Sequence, residues 1–122
     1  MTDVALCRVD EIPPESAVGR DIDAGGRPVP VIVVRHGAAI AAYLNSCPHV
    51  GVRLEWQPDD FLDITGAYLL CSSHGALFEK AGGRCLAGPC RGAALVPVAT
   101  RVDADGTVWA IGPEALPLTA RR

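Results

Sequence analysis

Short apolar runs separated by turn-forming residues make up most of the chain, a pattern typical of strands rather than helices. The candidate scaffold strands are 4–9, 16–23, 29–34, 38–44 and 107–111. The first should end before Pro13, because proline cannot donate to a sheet ladder. Residues 35–37 predict a hairpin tip. The alanines of 38–44 favour a helix by propensity, but their position directly after this tip predicts a return strand.

The region 45–92 differs in character from the rest of the chain. It carries four of the five cysteines, two of the three histidines and many glycines and prolines. Strand-like pieces there are confined to 67–70 and 76–79. Residues 94–102 are again mostly apolar, and 103–106 predict a turn. The pattern therefore predicts an all-β scaffold of five to seven strands with one loop-rich insertion.

Length and charge narrow the class of protein. A chain of 122 residues predicts one domain, 1–122. The net charge of −3 argues against the basic footprint of a nucleic-acid-binding protein. No apolar run approaches the roughly 18 residues of a membrane span, and no signal peptide is evident, so we expect a cytoplasmic protein. Thiols stay mostly reduced there, so five cysteines favour metal or redox chemistry over disulfides.

Two Cys/His pairs carry the chemistry. One residue separates Cys47 from His49 and two separate Cys71 from His74, with 21 residues between the pairs. A glycine follows each histidine within two residues, which allows tight loops with backbone amides close to a bound group. Two thiolates and two imidazoles could hold zinc. They could equally hold a [2Fe–2S] cluster with both histidines on one iron.

The two glycine-flanked pairs resemble the cluster-binding loops of Rieske [2Fe–2S] proteins, and Gly88-Pro89 resembles the proline loop that covers the cluster in that family. The resemblance implies an all-β fold: a small antiparallel sandwich or barrel with an inserted cluster-binding subdomain, about 45–92. It also implies one [2Fe–2S] cluster per chain.

The resemblance further implies the ligand set. Cys47 and Cys71 would bind one iron, and His49 and His74 would bind the other. With two thiolates the oxidised site is neutral, whereas four would make it a dianion. An electron is added more easily to the neutral site, in keeping with the higher potentials of Rieske centres.

Departures from the family pattern indicate a low-potential, ferredoxin-type centre. High-potential members have an additional cysteine in each loop, and these two form a disulfide. The corresponding positions here are Val52 and Ser73. High-potential members also place serine and tyrosine hydroxyls near the cluster, where this chain has Ala76 and Phe78. Both replacements remove donors that would stabilise the reduced state.

These features favour a soluble one-electron carrier over an enzyme. The chain has no glycine-rich phosphate loop, and only His36 remains for any second iron site. The expected partners are a reductase and a terminal oxygenase or similar redox protein. Two alternatives stay open: the small Rieske subunit of a nitrite-reductase-like complex, or a structural zinc module.

The remaining cysteines and His36 have simpler interpretations. A disulfide between Cys85 and Cys90 is geometrically possible, but the expected compartment argues against it. They could also be additional cluster ligands, although the frequent burial of free cysteines favours a packing role. Cys7 is expected to be a small buried hydrophobe in a strand. His36 should be exposed at its hairpin tip.

The loop after the first Cys/His pair is acidic and contains two aromatic residues. Its acidic residues are Glu55, Asp59, Asp60 and Asp63. They predict either a solvated loop or a docking patch for a basic partner. We expect Trp56 and Phe61 to pin this loop to the core. We expect Trp109 to belong to the scaffold core.

Overall fold

The computed structural model describes residues 3–48, 52–73, 75–89 and 91–113. These residues form nine strands and one short 3-10 turn, Val9–Glu11. The strands are β1 Asp3–Arg8, β2 Ala17–Ala24, β3 Arg27–His36, β4 Ala39–Leu44, β5 Leu69–Leu70, β6 Leu77–Phe78, β7 Cys85–Ala87, β8 Thr100–Val102 and β9 Thr107–Ile111. The predicted all-β class is confirmed. None of the helical structure in the described residues is long and apolar enough to cross a membrane.

Two three-stranded antiparallel sheets form the scaffold, in the orders β1-β9-β8 and β2-β3-β4. β1 lies at the edge of its sheet and ends at Arg8, before Pro13 as predicted. β4 pairs with β3 in a register that sets Ala41 opposite Val34. The alanine-rich run is therefore a return strand rather than a helix. Its tight connection uses Gly37, whose φ of 60° is easily adopted by glycine.

β3 is buried on both faces and separates two hydrophobic cores. Its odd-numbered residues Val29, Val31 and Val33 face a core shared with the other scaffold sheet. The even-numbered Ile32 and Val34 face a second core that includes cysteines of the insertion. Successive side chains of a strand point to opposite faces. This explains the almost continuous apolar run of β3, and it places the insertion directly on the scaffold.

The insertion has its own small antiparallel sheet, in the order β5-β6-β7. β5 and β6 lie within the predicted pieces 67–70 and 76–79. β7 is missing from the sequence prediction, and its pairing with β6 is irregular. Glycines precede it and Gly88-Pro89 follows it, a composition that is typical of a loop.

Of the two aromatic residues expected to pin the acidic loop, only Phe61 does so. Phe61 is 1% exposed and packs in the second core. Its ring lies against Gly19, where an added Cβ would be 3.0 Å from the Phe61 Cζ. Trp56 is 73% exposed, so that prediction is wrong. Leu54 occupies the buried position in this stretch instead of Trp56.

The expectation that Trp109 belongs to the scaffold core is also wrong. In β9 the side chains of Val108 and Ala110 are fully buried, so strand alternation turns Trp109 to the other face. There its Nε1–H donates to Asp103 Oδ2 at 2.8 Å. The guanidinium of Arg101 lies 5.0 Å from the ring centroid, within cation–π range.

Cys7 and His36 lie as predicted. Cys7 is buried in β1 as part of the first core, and desolvation by burial raises the pKa of its thiol. His36 is exposed at the end of β3, with its Nδ1 2.8 Å from Glu15 Oε1.

The two loop aromatics give a paired stability prediction. Phe61→Ala should lower the free energy of unfolding by about 3–5 kcal/mol, because it leaves a cavity in the second core. Trp56→Ala should change it by no more than about 0.5 kcal/mol, because the ring is exposed. Urea denaturation of both variants measures the difference. Similar losses in the two variants would contradict the placement of Phe61.

Candidate metal centre

Each of the two cysteine loops is closed by a backbone hydrogen bond, and the two bonds follow the same pattern. The Cys47 N–H donates to the Val52 carbonyl at 2.7 Å, and the Cys71 N–H donates to the Ala76 carbonyl at 2.9 Å. Each closure therefore joins a cysteine to the residue five positions later. The same hydrogen bond recurs in the two loops that carry the predicted ligands.

The predicted histidine ligands fall within these closures by chain position. His49 lies two residues after Cys47, and His74 lies three residues after Cys71. Both histidines lie outside the described residues, as does Cys90. The ligand set therefore stays a prediction, while the described backbone on either side of each histidine fixes where its loop begins and ends.

A direct hydrogen bond joins the two loops and brings both cysteines into one core. The Ser72 N–H donates to the Leu54 carbonyl at 2.8 Å. Cys47 is 1% exposed, Cys71 is fully buried, and both belong to the second core together with Leu54 and Phe78. The two predicted thiolate ligands are thus placed in one water-poor region by adjoining loops.

The glycine after His74 has a structural reason. Gly75 has a φ of 75°, and its N–H donates to the Cys71 carbonyl at 2.9 Å. A side chain is strained in this left-handed conformation. Glycine therefore lets the chain turn sharply back towards Cys71 within the loop.

The Gly88-Pro89 segment lies against the second cysteine loop. Gly88 has a φ of 101°, and an added Cβ would lie 2.7 Å from the Ala76 Cα. Only glycine permits this approach, since real Cβ atoms do not come so close to backbone. The nearby Cys85 is buried, and its Sγ–H donates to the Ala87 carbonyl at 3.3 Å. This placement fits a packing role for Cys85.

The acidic loop is organised by its own carboxylates. Asp59 Oδ1 accepts the Gly19 N–H at 2.8 Å and so fastens the loop to β2. Asp63 accepts from the Thr65 hydroxyl at 2.9 Å and from two backbone amides. Desolvation raises the pKa of Asp63, but these hydrogen bonds outweigh it, and the pKa lies below its usual value. The contacts fit the interpretation of a solvated, self-structured loop.

The sequence pattern alone does not single out Asn45, a buried amide two residues before Cys47. Its side chain accepts the Leu54 N–H and donates to Glu55. Only its position could have drawn attention to Asn45 in the sequence, because it lies between the end of an apolar strand and the start of the ligand motif.

The comparison with protein families decides the identity of the fold. The model of the Rieske [2Fe–2S] domain matches residues 2–104. The chain belongs to the Rieske family. No curated protein matches the sequence significantly. As a Rieske domain the chain binds one [2Fe–2S] cluster, which confirms the predicted cofactor.

Solved structures confirm the Rieske fold. The ferredoxin of carbazole 1,9a-dioxygenase from Nocardioides aromaticivorans IC177 has a TM-score of 0.67 and 24% identity, covering 90% of this chain and 97% of that chain. The Sphingomonas yanoikuyae B1 ferredoxin has a TM-score of 0.66 and 21% identity, covering 89% and 97%. A putative NADPH nitrite reductase small subunit has a TM-score of 0.61 and 20% identity, covering 91% and 99%. The antiparallel fold with an inserted subdomain is as predicted.

The residues predicted for the site are of the types that suit the cluster that the family binds. Cys47 and Cys71 offer soft thiolate donors, which suit iron–sulfur clusters. Their burial and the shared base of their loops provide the protected setting that such a centre requires. Elsewhere in the described part of the chain, no group of three or more His, Cys, Asp or Glu side chains forms a rival metal site. The family match, and not the donor chemistry, favours the [2Fe–2S] cluster over the zinc alternative at this site.

Proposed function

We propose that this Rieske protein is a one-electron carrier that serves an oxygenase-type partner and does not itself catalyse a reaction. The observation that carries the proposal is the near end-to-end match with carrier proteins, since the two ferredoxins and this chain each cover about nine tenths or more of the other. One chain in the structure of a complex of reduced oxygenase and oxidized ferredoxin in carbazole 1,9a-dioxygenase also matches, with a TM-score of 0.69 and 23% identity, covering 94% of this chain and 97% of that chain.

The proposed ligands are Cys47 and Cys71 for one iron and His49 and His74 for the other. When bound, the cluster supplies reversible one-electron exchange between ferric and ferrous iron. The chain fixes the two cysteines through the closures of their loops and through the hydrogen bond between the loops. The buried apolar side chains of the second core exclude water from the thiolates.

We propose a single domain, 1–122, that acts in the cytoplasm between a reductase and the terminal partner. The buried thiol of Cys7 forms no disulfide, in keeping with a reducing compartment.

A low midpoint potential follows from two apolar positions. Ala76 and Phe78 are fully buried and offer no hydroxyl to a reduced cluster. We expect a midpoint near the lower end of the Rieske range, at about −150 mV. Ala76→Ser should raise it, because the added hydroxyl is a hydrogen-bond donor. Film voltammetry of both proteins measures the values, and a wild-type midpoint well above zero would contradict the assignment.

The carrier role is tested by electron transfer between separate proteins. The anaerobically purified chain should accept one electron from a Rieske-oxygenase reductase and pass it to the terminal oxygenase within a stopped-flow experiment. The chain with reductase but without oxygenase should hydroxylate no substrate. Failure to be re-oxidised by any such oxygenase, in a chain that takes up one electron, would contradict the proposed partner class.

A second candidate role rests on the similarity to the putative nitrite reductase small subunit. In that case the chain would be a stable subunit rather than a mobile carrier. Purification of the untagged chain from its native source separates the two roles. A free carrier elutes alone, whereas a subunit elutes with a large redox partner.

A further inference from the structure

Asn45 joins the scaffold to the region of the cysteine loops. It follows β4 directly, and its backbone N–H donates to the Pro30 carbonyl of β3 at 2.8 Å. It is 1% exposed. A buried amide side chain is costly unless its polar atoms are hydrogen-bonded. The partners of this side chain therefore matter for the local structure.

Both ends of the Asn45 side chain are used. Its Oδ1 accepts the Leu54 N–H at 2.8 Å, and its Nδ2–H donates to Glu55 Oε1 at 2.8 Å. A backbone N–H can only donate and a carboxylate can only accept, so these partners fix the orientation of the amide. The side chain thus spans the base of the first cysteine loop, from the residue after β4 to the residues beyond the loop closure.

The contact continues to the second loop. The Leu54 carbonyl accepts the Ser72 N–H at 2.8 Å, and Ser72 directly follows Cys71. Two hydrogen bonds, both through Leu54, therefore connect Asn45 with Ser72, the residue after the second cysteine. The first cysteine, Cys47, lies only two residues from Asn45 along the chain.

We propose that Asn45 is a positioning residue that sets how the two cysteine loops are held relative to each other. The proposal rests on the proposed ligand role of Cys47 and Cys71. Asn45 acts through Leu54 and Ser72, and it is not itself a ligand. Partners that orient metal ligands typically change metal affinity by about 10- to 100-fold when they are removed. Loss of the amide should therefore affect the retention of the cluster more than the fold.

The test compares Asn45→Ala with a charge-conserving exchange, Asn45→Asp combined with Glu55→Gln. In the exchange an aspartate oxygen accepts the Leu54 N–H, and the glutamine amide donates to the other aspartate oxygen. Asn45→Ala should lose iron to a chelator about tenfold faster than wild type. It should also shift the EPR signal of the reduced protein, and amide hydrogen exchange should accelerate in peptides that contain Leu54 and Ser72. The double variant Asn45→Asp with Glu55→Gln should restore the wild-type rate of iron loss, the wild-type EPR signal and the wild-type rate of amide hydrogen exchange.

Ile22→Ala provides the control for general destabilisation, because Ile22 lies in the first core, whereas Cys47 and Cys71 lie in the second. It should lower the melting temperature and leave the EPR signal unchanged. If Asn45→Ala retains iron and its EPR signal as wild type does, the positioning role is refuted while the proposed function stands. If wild type itself holds no iron or sulfide, the proposed function fails first.

Discussion

Cys71→Ala should abolish the cluster. The thiolate is a proposed iron ligand, and alanine offers no donor atom, so iron should fall from two atoms per chain to a trace. The visible absorption of the oxidised protein and the EPR signal of the reduced protein should disappear with it. Cys47→Ala should behave in the same way, because its thiol occupies the equivalent place in the first loop. Iron and acid-labile sulfide analysis measures the loss.

Cys7→Ala is the matched control for this prediction. Cys7 is also a buried thiol, 8% exposed, but it belongs to the first core rather than the second. The same atoms are removed, and the fold loses a similar amount of packing. Cys7→Ala should keep two irons per chain. A normal iron content in Cys71→Ala, or an equal loss in Cys7→Ala, would contradict the assignment of the thiolate ligands.

Gly88→Ala should disrupt the packing of the proline loop on the second cysteine loop. Its positive φ costs a side chain about 1–3 kcal/mol, and the overlap of the new Cβ with the Ala76 backbone adds about 1–3 kcal/mol. We expect a lower midpoint of urea unfolding and faster loss of iron to a chelator, since the second loop must shift.

Gly26→Ala separates the two contributions. Gly26 has a φ of 91°, close to that of Gly88, but no atom lies within 4 Å of an added Cβ. Gly26→Ala should therefore show only the cost of the positive φ, with normal retention of iron. Equal stability and equal iron retention in the two variants would show that the contact of Gly88 with Ala76 is unimportant.

The scaffold strands could be predicted from the sequence because they are runs of apolar and β-branched residues bounded by turn-forming residues. The β-branched run of β3 and the turn at Gly37 predict a hairpin, and β4 follows directly from that geometry. The ligand motif rests on another kind of signal and stays a prediction, because both histidines lie outside the described residues. Thiolate and imidazole donors at fixed short spacing have few alternative uses in a reducing compartment.

The aromatic residues show where sequence patterns fail. Trp56 and Phe61 both stand in the acidic loop, but hydrophobicity does not tell which one is buried. Gly19 decides it, because its missing side chain leaves room for the ring of Phe61. This pairing joins residues far apart in the chain, and no local pattern encodes it. The hydrogen bonds of Asn45 span nine and ten residues across the first cysteine loop, a separation that strand or helix periodicity does not encode either.

Pulsed EPR of the dithionite-reduced chain, labelled with ¹⁵N-histidine, tests the central claim most directly. The claim is that two thiolates and two imidazoles hold one [2Fe–2S] cluster. The account predicts two coupled histidine nitrogens in wild type, two irons and two sulfides per chain, and loss of the signal in Cys71→Ala. A reduced cluster without histidine coupling, or a chain that holds no iron and sulfide, would contradict it.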